Sequence, residues 1–430
     1  MKSFKKTFCG GVHPAQHKDT SLFAIERLPA PERVYLHLSN SAGAPSKPVV
    51  KKGDRVLKGS LIAEPAGKIS AFIHSSVSGI VEDIKKWPHC SGQKIDAIII
   101  ENDFKDERAA APGLKDPSQL APSEIVETVR NAGIVGLGGA AFPTDVKLVP
   151  GQGKKVTTLI INACECEPYL TSDESLIKEK AADIIEGAKT AARALSAKKI
   201  IIGIEDNKSA AAEELLRRSS ERINVVALKT KYPQGGEKQL IFALCGKKVP
   251  VGGLPADVGV AVMNVQTAFA VYEAVFKGKP LYERVVTLGG YFRKPGNVII
   301  PAGTRLEDII NLRGGLADDV DKIILGGPMM GQAVCDTDVP VSKSASGILL
   351  LRERARKEYE CLRCLRCASV CPMDLMPRES YAAYKSGGVY EKAANCMECG
   401  ACAYVCPSAI PLIQYLKLSK QNLRMSNVKT

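Results

Sequence analysis

The spacing of hydrophobic and polar positions changes along the chain and divides it into regions. In the first 110 residues, short runs rich in Val, Ile and Phe are separated by turns at Gly53 and Gly79. The runs cover residues 49–50, 61–62, 72–73 and 80–84. Short apolar runs punctuated by turn residues are typical of strands. The pattern therefore predicts an all-β N-terminal domain.

A polar segment at residues 101–122 contains Pro112, Pro117 and Pro122 and predicts a linker. Beyond it, Ser123 can cap a helix that stops at Gly133. The elements that follow are a strand over 157–162, a helix over 173–195, a strand over 200–204, a helix over 210–218 and a strand over 223–228. This βαβαβ series predicts a parallel sheet with helices on its faces.

The C-terminal part contains two further regions. Short β-runs return over 282–316, around Gly289 and Gly296, and the final segment predicts helices between cysteine pairs. At about 100–200 residues per domain, 430 residues predict two to four domains. We predict domains at residues 1–110, 118–280, 281–350 and 351–430.

Composition narrows the class of protein. With 45% hydrophobic and 24% charged residues, the chain is not globally disordered. No apolar run approaches the ~18–20 residues of a membrane span. The N-terminus, MKSFKKTFCGG, lacks the apolar stretch of a secretory signal, which predicts a reducing cytosol. In that compartment, 14 cysteines indicate metal binding rather than disulfides.

Eight of the cysteines form two copies of C-x2-C-x2-C-x3-C-P, at residues 361–372 and 396–407. In such a pair, three thiolates of one copy bind one cubane and the fourth binds the other. The spacing assigns one [4Fe-4S] cluster to Cys361, Cys364, Cys367 and Cys406, and the second to Cys371, Cys396, Cys399 and Cys402. A zinc ribbon is the alternative, but it needs four ligands and leaves thiols unused. Leu365 stands where the second copy has Gly400, and its role stays open.

A glycine loop, GLGGAAFPTDVKL at residues 136–148, formally matches the dinucleotide fingerprint. The context differs, because a helix rather than a strand precedes it. From the loop alone, a plain turn remains an alternative. Three segments at the ends of other elements favour a ligand-binding loop over a plain turn, because ligands bind at strand ends in α/β sheets. These segments are residues 162–175, 232–240 and 263–270. Glu165 and Glu167 lie too early to cap the helix that Ser172 or Asp173 can begin.

Several long motifs in one order resemble the C subunits of Rnf complexes, the ion-translocating ferredoxin:NAD oxidoreductases. They are FCGGVHPAQHKDTS (8–21), GIVGLGGAAFPT, ECEPYLTSDE, YPQGGEKQL, LGGPMMG (325–331) and the doubled cysteine motif. The glycine loop and its companions also resemble the FMN- and NADH-binding subunit of respiratory complex I, whose loops contain G-R-G-G-A-G-F-P-T, N-x-D-E-S-E-P and N-N-V-E-T. Cys164, Met263 and Leu137 differ from that second pattern.

Two further segments carry their own resemblances. Residues 51–84 are similar to a biotinyl/lipoyl-type barrel-sandwich hybrid, and residues 286–316 to a soluble-ligand-binding β-grasp (SLBB) module. Together the resemblances imply a multidomain α/β protein. Its order is an N-terminal β barrel-sandwich hybrid, a Rossmann-like flavin domain, an SLBB-type β-grasp module and a C-terminal α-helical 2[4Fe-4S] ferredoxin-like domain.

The resemblance also implies site residues. Those implied to bind FMN are Gly136, Gly138, Gly139, Lys147, Asn162, Glu165, Asn264 and Thr267. Those implied on the NADH side are Phe142, Glu167 and Glu237. NADH gives up two electrons as a hydride and a cluster accepts one, and a flavin can do both. No hydrolytic Ser/His/Asp or Cys/His set is evident, so we predict no separate catalytic residue.

As a function, the resemblance implies an oxidoreductase/translocase subunit that passes electrons between NAD(H) and ferredoxin through non-covalent FMN and two [4Fe-4S] clusters. It implies a peripheral position on the cytoplasmic face of the cell membrane, without a transmembrane segment. Implied partners are the other subunits of the complex, including integral membrane subunits and a ferredoxin-type iron–sulfur subunit. The alternatives are the flavin/iron–sulfur cobalamin reductase of propanediol utilisation and a non-catalytic electron-conducting scaffold.

Charge adds one expectation about partners. The formal net charge is +13, and residues 351–430 hold 13 Lys and Arg against 7 Asp and Glu. Complementary charge speeds encounter between proteins, so we expect that the surplus faces an acidic redox partner or the membrane. No nucleic-acid motif or aromatic-interleaved basic stripe accompanies the charge, and we predict no nucleic-acid partner.

Overall fold

The computed structural model describes residues 6–111, 116–352 and 356–427. Pro112 of the predicted linker lies outside the described residues. The first eight strands are β1 (Glu26–Arg27), β2 (Arg33–His37), β3 (Lys47–Pro48), β4 (Arg55–Val56), β5 (Leu61–Glu64), β6 (Ile73–His74), β7 (Gly79–Pro88) and β8 (Lys94–Asn102). A 3-10 turn, Asp19–Leu22, precedes them. The prediction of an all-β N-terminal region is confirmed.

Seven of these strands form two small antiparallel sheets, in the orders β2-β8-β7-β4 and β3-β5-β6. Their inner faces enclose a core that includes Val34, Leu36, Ile62, Ile98 and Ile100. Burial of branched apolar side chains between sheets is the main source of stability here.

The central region begins with α1 (Pro122–Asn131), α2 (Thr144–Leu148), β9 (Thr158–Ala163), α3 (Ser172–Ala194), β10 (Lys199–Glu205), α4 (Ser209–Arg218), β11 (Ile223–Leu228), α5 (Glu237–Cys245), β12 (Val260–Asn264) and α6 (Val265–Lys277). The four strands are parallel in the order β11-β10-β9-β12, which confirms the predicted sheet. Ser123 is not the first cap. The helix starts one residue earlier, at Pro122, and the carboxylate of Glu124 accepts the Ala121 N–H at 2.8 Å. Proline is pre-organised for the first helical position.

The third region contains β13 (Glu283–Gly290), β14 (Gly296–Pro301), α7 (Leu306–Leu312), β15 (Lys322–Leu325), β16 (Gln332–Val334) and β17 (Gly347–Leu351). The five strands of this region form a six-stranded mixed sheet together with β1, in the order β1-β14-β13-β17-β15-β16. The last region contains the helices α8 (Arg366–Ser369), α9 (Pro377–Lys385), α10 (Ala401–Tyr404) and α11 (Leu412–Asn427). None of the helices in the described part of the chain is long and apolar enough to cross a membrane.

The strand order of the central sheet determines where a ligand can bind. From β9 the chain moves outward through β10 and β11, and β12 then returns to the other side of β9. Such a reversal opens a crevice at the carboxyl ends of the two strands. Asn162 and Asn264 are register partners at those two ends.

One buried lysine joins three of the regions. Lys343, from the segment before β17, donates from Nζ to the carbonyls of Phe72 and Gly133, both at 2.9 Å. Phe72 lies just before β6, and Gly133 lies between α1 and the glycine loop. Burial lowers the pKa of Lys343 to about 7.

Candidate functional site

The glycine loop lies in the crevice and is held at its beginning. The Gly136 N–H donates to the Phe142 carbonyl at 2.8 Å, and the Leu137 N–H donates to Oγ1 of Thr267 at 2.9 Å. Gly139 has φ +109°, and a Cβ there would meet nothing within 4 Å. Among the described residues, the N–H groups of Gly138 and Gly139 have no hydrogen-bond acceptor. Free backbone N–H groups at an open glycine turn suit a phosphate or a flat ring.

The two strand-end asparagines each hold a neighbouring segment. Nδ2 of Asn162 donates to the Gly235 carbonyl at 2.8 Å, and its Oδ1 accepts the Cys164 N–H at 3.1 Å. Oδ1 of Asn264 caps α6 by accepting the Gln266 N–H at 2.9 Å. The structure thus brings the glycine loop, the second glycine loop and the start of α6 to one sheet edge.

A buried acid lies beneath this edge. Asp173 accepts from Nδ2 of Asn264 at 2.6 Å and from Nε2 of Gln266 at 2.9 Å. Burial raises the pKa of Asp173, and these two amides act against that rise. The buried Arg284 adds positive charge nearby, and it donates to the Leu137 carbonyl at 3.3 Å. The glycine loop therefore rests on a network of buried polar side chains from the central and third regions.

Glu165 caps α3, which contradicts the expectation that it lies too early in the chain. Its carboxylate accepts the N–H groups of Asp173 at 2.8 Å and Glu174 at 3.1 Å. Glu165 has φ +46°, and the chain between it and Ser172 folds back over the helix start. Burial raises the pKa of Glu165 to about 7, and the neighbouring Asp173 carboxyl adds to the rise. A carboxylate at a helix N-terminus stabilises the orphan N–H groups there.

Glu167 does not cap the helix. Its carboxylate accepts the N–H groups of Met329 at 3.0 Å and Met330 at 2.8 Å. Burial raises the pKa of Glu167 to about 7, against the effect of those two donors. Glu167 thereby ties the loop after β9 to the loop that joins β15 and β16.

The other two residues predicted on the NADH side lie near α2 and α5. Glu237, the exposed first residue of α5, lies 3.4 Å from Nζ of Lys147. The same Nζ donates to the Val262 carbonyl at 2.9 Å. Phe142 is half-buried at the end of the glycine loop. Glu167 contacts a different segment, because its carboxylate is bound by the loop between β15 and β16.

The eight motif cysteines surround two cavities. The lining of one cavity includes Cys371, Cys396, Cys399 and Cys402. The lining of the other includes Cys361, Cys364, Cys367 and Cys406. Each set combines three cysteines of one motif copy with the last cysteine of the other. Within the described residues, no three His, Cys, Asp or Glu side chains come together as ligands for a single metal ion.

Backbone donors point at several of these sulfurs. The N–H groups of Arg363, Leu375 and Glu398 lie 3.3–3.4 Å from the Sγ atoms of Cys361, Cys371 and Cys396, respectively. Hydrogen bonds to ligand sulfur are a feature of iron–sulfur sites and tune their potentials. The four thiols at each cavity and these donors fit a pair of cubane clusters.

The first cavity lies against the central sheet, and we call it the inner cluster site. The Tyr232 hydroxyl donates to the Cys399 carbonyl at 2.6 Å, and Nε2 of Gln239 donates to the Pro372 carbonyl at 3.2 Å. Gly400, with φ +76°, leaves room for the carbonyl of Met329, which would lie 2.9 Å from a Cβ. The inner site is therefore covered by segments of the central and third regions.

The second cavity faces solvent, and we call it the outer cluster site. Leu362 is 70% exposed and Leu365 is 45% exposed, and Cys364 is also exposed. Leu365 has φ +60°, close to the φ of Gly400. The two positions share a backbone conformation, and glycine occurs at the one that another loop covers.

Two further cysteines, Cys164 and Cys166, follow β9 closely in the chain. Cys166 packs in an apolar cluster with Val12, Tyr232 and Cys399, and its Sγ accepts the Gly235 N–H at 3.3 Å. Cys164 is fully buried in the core of the sheet, with Sγ 3.6 Å from the Gly203 carbonyl. A charged Asp at that position would lie in an apolar core, which is consistent with cysteine there.

The sequence motifs missed several residues of this region. Lys18 donates from Nζ to the carbonyls of Glu165 at 2.8 Å, Glu167 at 2.7 Å and Leu170 at 2.6 Å. Asp173, Tyr232 and Arg284 were not predicted as site residues either. Lys18 lies in the motif at residues 8–21, and that position was the only indication in the sequence that it could belong to the site.

Four family models match the chain, in the order of its regions. They are the RnfC barrel sandwich hybrid domain at residues 6–105, the Nuo51 FMN-binding domain at 129–273, the SLBB domain at 285–333 and the 4Fe-4S dicluster domain at 360–410. The predicted fold classes and their order are confirmed. The matches also support FMN and iron–sulfur clusters as cofactors.

Curated relatives match most of the chain. The C subunit of the proton-translocating ferredoxin:NAD(+) oxidoreductase complex of Clostridium ljungdahlii is 45% identical over 86% of this chain and 83% of its own length. The C subunit of the Na(+)-translocating complex of Acetobacterium woodii is 41% identical, over 90% and 89%. The C subunit of the ion-translocating oxidoreductase complex of Rhodobacter capsulatus is 42% identical, over 88% and 75%.

Among the solved structures that match, one is similar in fold over most of the chain. It is an NAD+-reducing [NiFe]-hydrogenase in the H2-reduced state, with a TM-score of 0.52 and 20% identity, over 71% of this chain and 62% of the hydrogenase chain. At that identity the likeness concerns the fold alone.

Proposed function

Since the chain belongs to the family of C subunits of ion-translocating ferredoxin:NAD oxidoreductase complexes, we propose that it carries electrons between NAD(H) and a ferredoxin-type iron–sulfur subunit. The observation that carries the proposal is the placement of the eight motif cysteines. They line two cavities, one against the flavin-side sheet and one facing solvent. That arrangement suits a path from a buried donor to a partner at the surface.

FMN is proposed to bind in the crevice between β9 and β12. The chain's contribution begins with the open N–H groups of Gly138 and Gly139, beside Gly136. Asn162, Asn264 and Thr267 hold the loops around that opening. Glu165 acts through the start of α3, and Lys147 through Val262 in the middle of β12. When bound, FMN links two-electron exchange with NAD(H) to one-electron exchange with clusters.

The nicotinamide side is proposed to include Phe142 and Glu237, which border the glycine loop and Lys147. The resemblance implies Glu167 on the same side, but its carboxylate holds the Met329 loop, so we propose that it acts indirectly, through the loop that covers the inner cluster site. We propose that the inner site holds a [4Fe-4S] cluster on Cys371, Cys396, Cys399 and Cys402. The outer site holds a second cluster on Cys361, Cys364, Cys367 and Cys406.

The order of the two cluster sites follows from what covers them. The inner site contacts Tyr232 and Gln239 of the flavin side, whereas Leu362, Cys364 and Leu365 of the outer site are exposed. The outer site is thus proposed as the contact for the partner protein. Exposed Arg363 and Arg366 flank it, and their charge suits an acidic partner. We place the protein at the cytoplasmic face of a membrane complex with integral membrane subunits.

The test is addition of NADH to the FMN- and iron-loaded chain under anaerobic conditions. We expect the flavin absorbance to bleach and a one-electron dye to be reduced. A flavin that NADH does not bleach would favour the electron-conducting scaffold. Efficient NADH-driven reduction of cob(III)alamin would favour the cobalamin reductase. Co-purification from membranes with integral membrane subunits would support the assignment to a complex.

A further inference from the structure

The segment at residues 6–22, which we call the strap, contacts both the flavin side and the inner cluster site. At its start, Lys6 bridges to Leu228 at the end of β11, and the Thr7 hydroxyl donates to Oε1 of Gln234 at 3.0 Å. At its end, Oγ1 of Thr20 lies 2.6 Å from Oγ1 of Thr171, just before α3. The strap therefore runs from the edge strand β11 to the start of α3.

The middle of the strap touches the inner cluster loop. The Gly11 N–H donates to the Val370 carbonyl at 2.8 Å. Gly10 has φ +80°, and a Cβ there would lie 2.9 Å from the Cys371 carbonyl. Two backbone hydrogen bonds pair Val12 with Tyr232, at 2.8 and 2.9 Å. The backbone around one inner-site ligand, Cys371, is thus packed directly on the strap.

The C-terminal half of the strap organises the loop after β9. The ammonium of Lys18 is surrounded by the carbonyls of Glu165, Glu167 and Leu170, at 2.6–2.8 Å. The His17 ring stacks on Tyr169 with centroids 4.5 Å apart. A cation that satisfies three carbonyls of one loop fixes the path of that loop, and Glu165 and Glu167 lie on it.

We propose that the strap is a positioning element that sets the placement of the inner cluster site relative to the flavin crevice. Gly10 and Gly11 hold the cluster side, Lys18 holds the flavin side, and the residues between them form a covalent link of short, defined length. The inference rests on the proposed function, because it assigns the two ends of the strap to a flavin site and a cluster site. None of the strap residues is a proposed ligand of either cofactor.

The strap differs from a simple anchor in a measurable way. An anchor adds stability to the fold, and its loss lowers stability without changing electron transfer in the folded protein. A positioning element also sets how fast electrons move between two sites that remain loaded, since small misplacements of reacting groups have large effects on rate.

The first variant is Gly10→Ala, which places a Cβ against the Cys371 carbonyl at a left-handed φ. Its matched control is Gly92→Ala, because Gly92 also has φ +80° and a Cβ there would meet nothing within 4 Å. With NADH in anaerobic rapid mixing, we expect G10A to bleach its flavin at the wild-type rate but to lose the fast phase of cluster reduction. Hydrogen exchange of the loaded protein should rise at Gly11 and across 370–375. G92A should match wild type in all three measurements.

The second variant is Lys18→Gln, which does not touch the cluster loop. It keeps the proposal testable if G10A loses its iron. We expect K18Q to retain its iron, to exchange faster over residues 165–170 and to bind FMN about tenfold more weakly. Two results would overturn the proposal. One is a wild-type rate of cluster reduction in G10A when hydrogen exchange at 370–375 has risen. The other is a wild-type FMN affinity in K18Q when hydrogen exchange at 165–170 has risen. If NADH fails to bleach wild-type flavin, the proposed function fails instead, and the FMN affinity of K18Q still tests the strap.

Discussion

The phenolic hydroxyl of Tyr232 donates a 2.6 Å hydrogen bond to the backbone carbonyl of Cys399. Tyr232 is fully buried and lies in the loop between β11 and α5. Burial raises the pKa of its phenol, so the hydroxyl stays a donor at any physiological pH. This bond joins the second glycine loop of the central sheet to a ligand residue of the inner cluster site.

Tyr232→Phe removes the hydroxyl, so the Cys399 carbonyl loses this hydrogen bond. We expect a loss of about 1–3 kcal/mol in the free energy of unfolding, because a buried acceptor loses its partner. Denaturant unfolding followed by cluster absorbance measures the effect. The matched control is Tyr404→Phe, at a side chain that is 51% exposed, and it should unfold like wild type. Equal stability of the two variants would contradict the assigned role of the bond.

The crossed ligand sets predict different outcomes for the two terminal cysteines of the motifs. Cys371→Ala should empty the inner site and Cys406→Ala the outer site, each leaving about four of about eight irons. NADH should still reduce the remaining cluster in C406A, whereas the remaining cluster in C371A is cut off from the flavin side. Iron analysis and electron paramagnetic resonance after NADH addition measure both. Cys335→Ala, at an exposed cysteine outside the motifs, should retain all iron. The reverse pattern would exchange the inner and outer assignments.

Gly400 and Leu365 should differ in how strongly substitution affects stability. Gly400→Ala adds a Cβ 2.9 Å from the Met329 carbonyl at φ +76°, and we expect a cost of about 2 kcal/mol or more. Leu365→Gly relieves a left-handed conformation at an exposed position and should change stability by less than about 1 kcal/mol. Retention of iron during denaturant titration compares the two. Equal iron loss in both variants would show that the Met329 loop does not restrict the inner site.

Lys343 predicts a dependence of stability on pH. Burial lowers its pKa to about 7 in the folded chain, against about 10.4 when unfolded. Between these values the unfolded chain holds a proton that the folded chain lacks, so this lysine makes stability rise with pH. The gain should be about 2 kcal/mol from about pH 7 to about pH 9.

Lys343→Met should remove that increment, and denaturant unfolding at the two pH values measures it. Lys68→Met, at an exposed lysine, should keep the wild-type dependence. An increment that persists in K343M would assign it to another group.

The charge around the outer site predicts an effect on the partner reaction alone. Replacing Arg363 and Arg366 with Glu should slow electron exchange with an acidic ferredoxin-type protein at low ionic strength, because complementary charge speeds encounter. Raising ionic strength should slow the wild-type reaction in the same way. Bleaching of the flavin by NADH should change in neither case. The control pair replaces exposed Lys68 and Lys94 with Glu, and an equal effect there would indicate a nonspecific contribution of net charge.

Local patterns predicted much of this protein. Cysteine spacing is a short-range property, and the two sets that it assigns are the two sets that line the cavities. The alternation of helical and strand periods likewise predicted the parallel sheet over β9, β10 and β11, because burial on both faces of a sheet leaves a local record in the chain. The resemblance then supplied the family, which the relatives confirm.

The tertiary structure decided what each polar side chain does. Glu165 caps α3 from seven residues before its first residue, Ser172, beyond the spacing at which capping residues are recognised. Lys18 reaches the loop after β9 across 147 residues of chain. Which motif copy needs glycine depends on whether another loop covers it, and Met329 covers Gly400 rather than Leu365. Spacing along the chain determines which cysteines form each ligand set and which segments have helical or strand periodicity. Contacts between distant segments form only when the chain folds. Those contacts decide which cluster site is covered, which one faces solvent and what the strap touches.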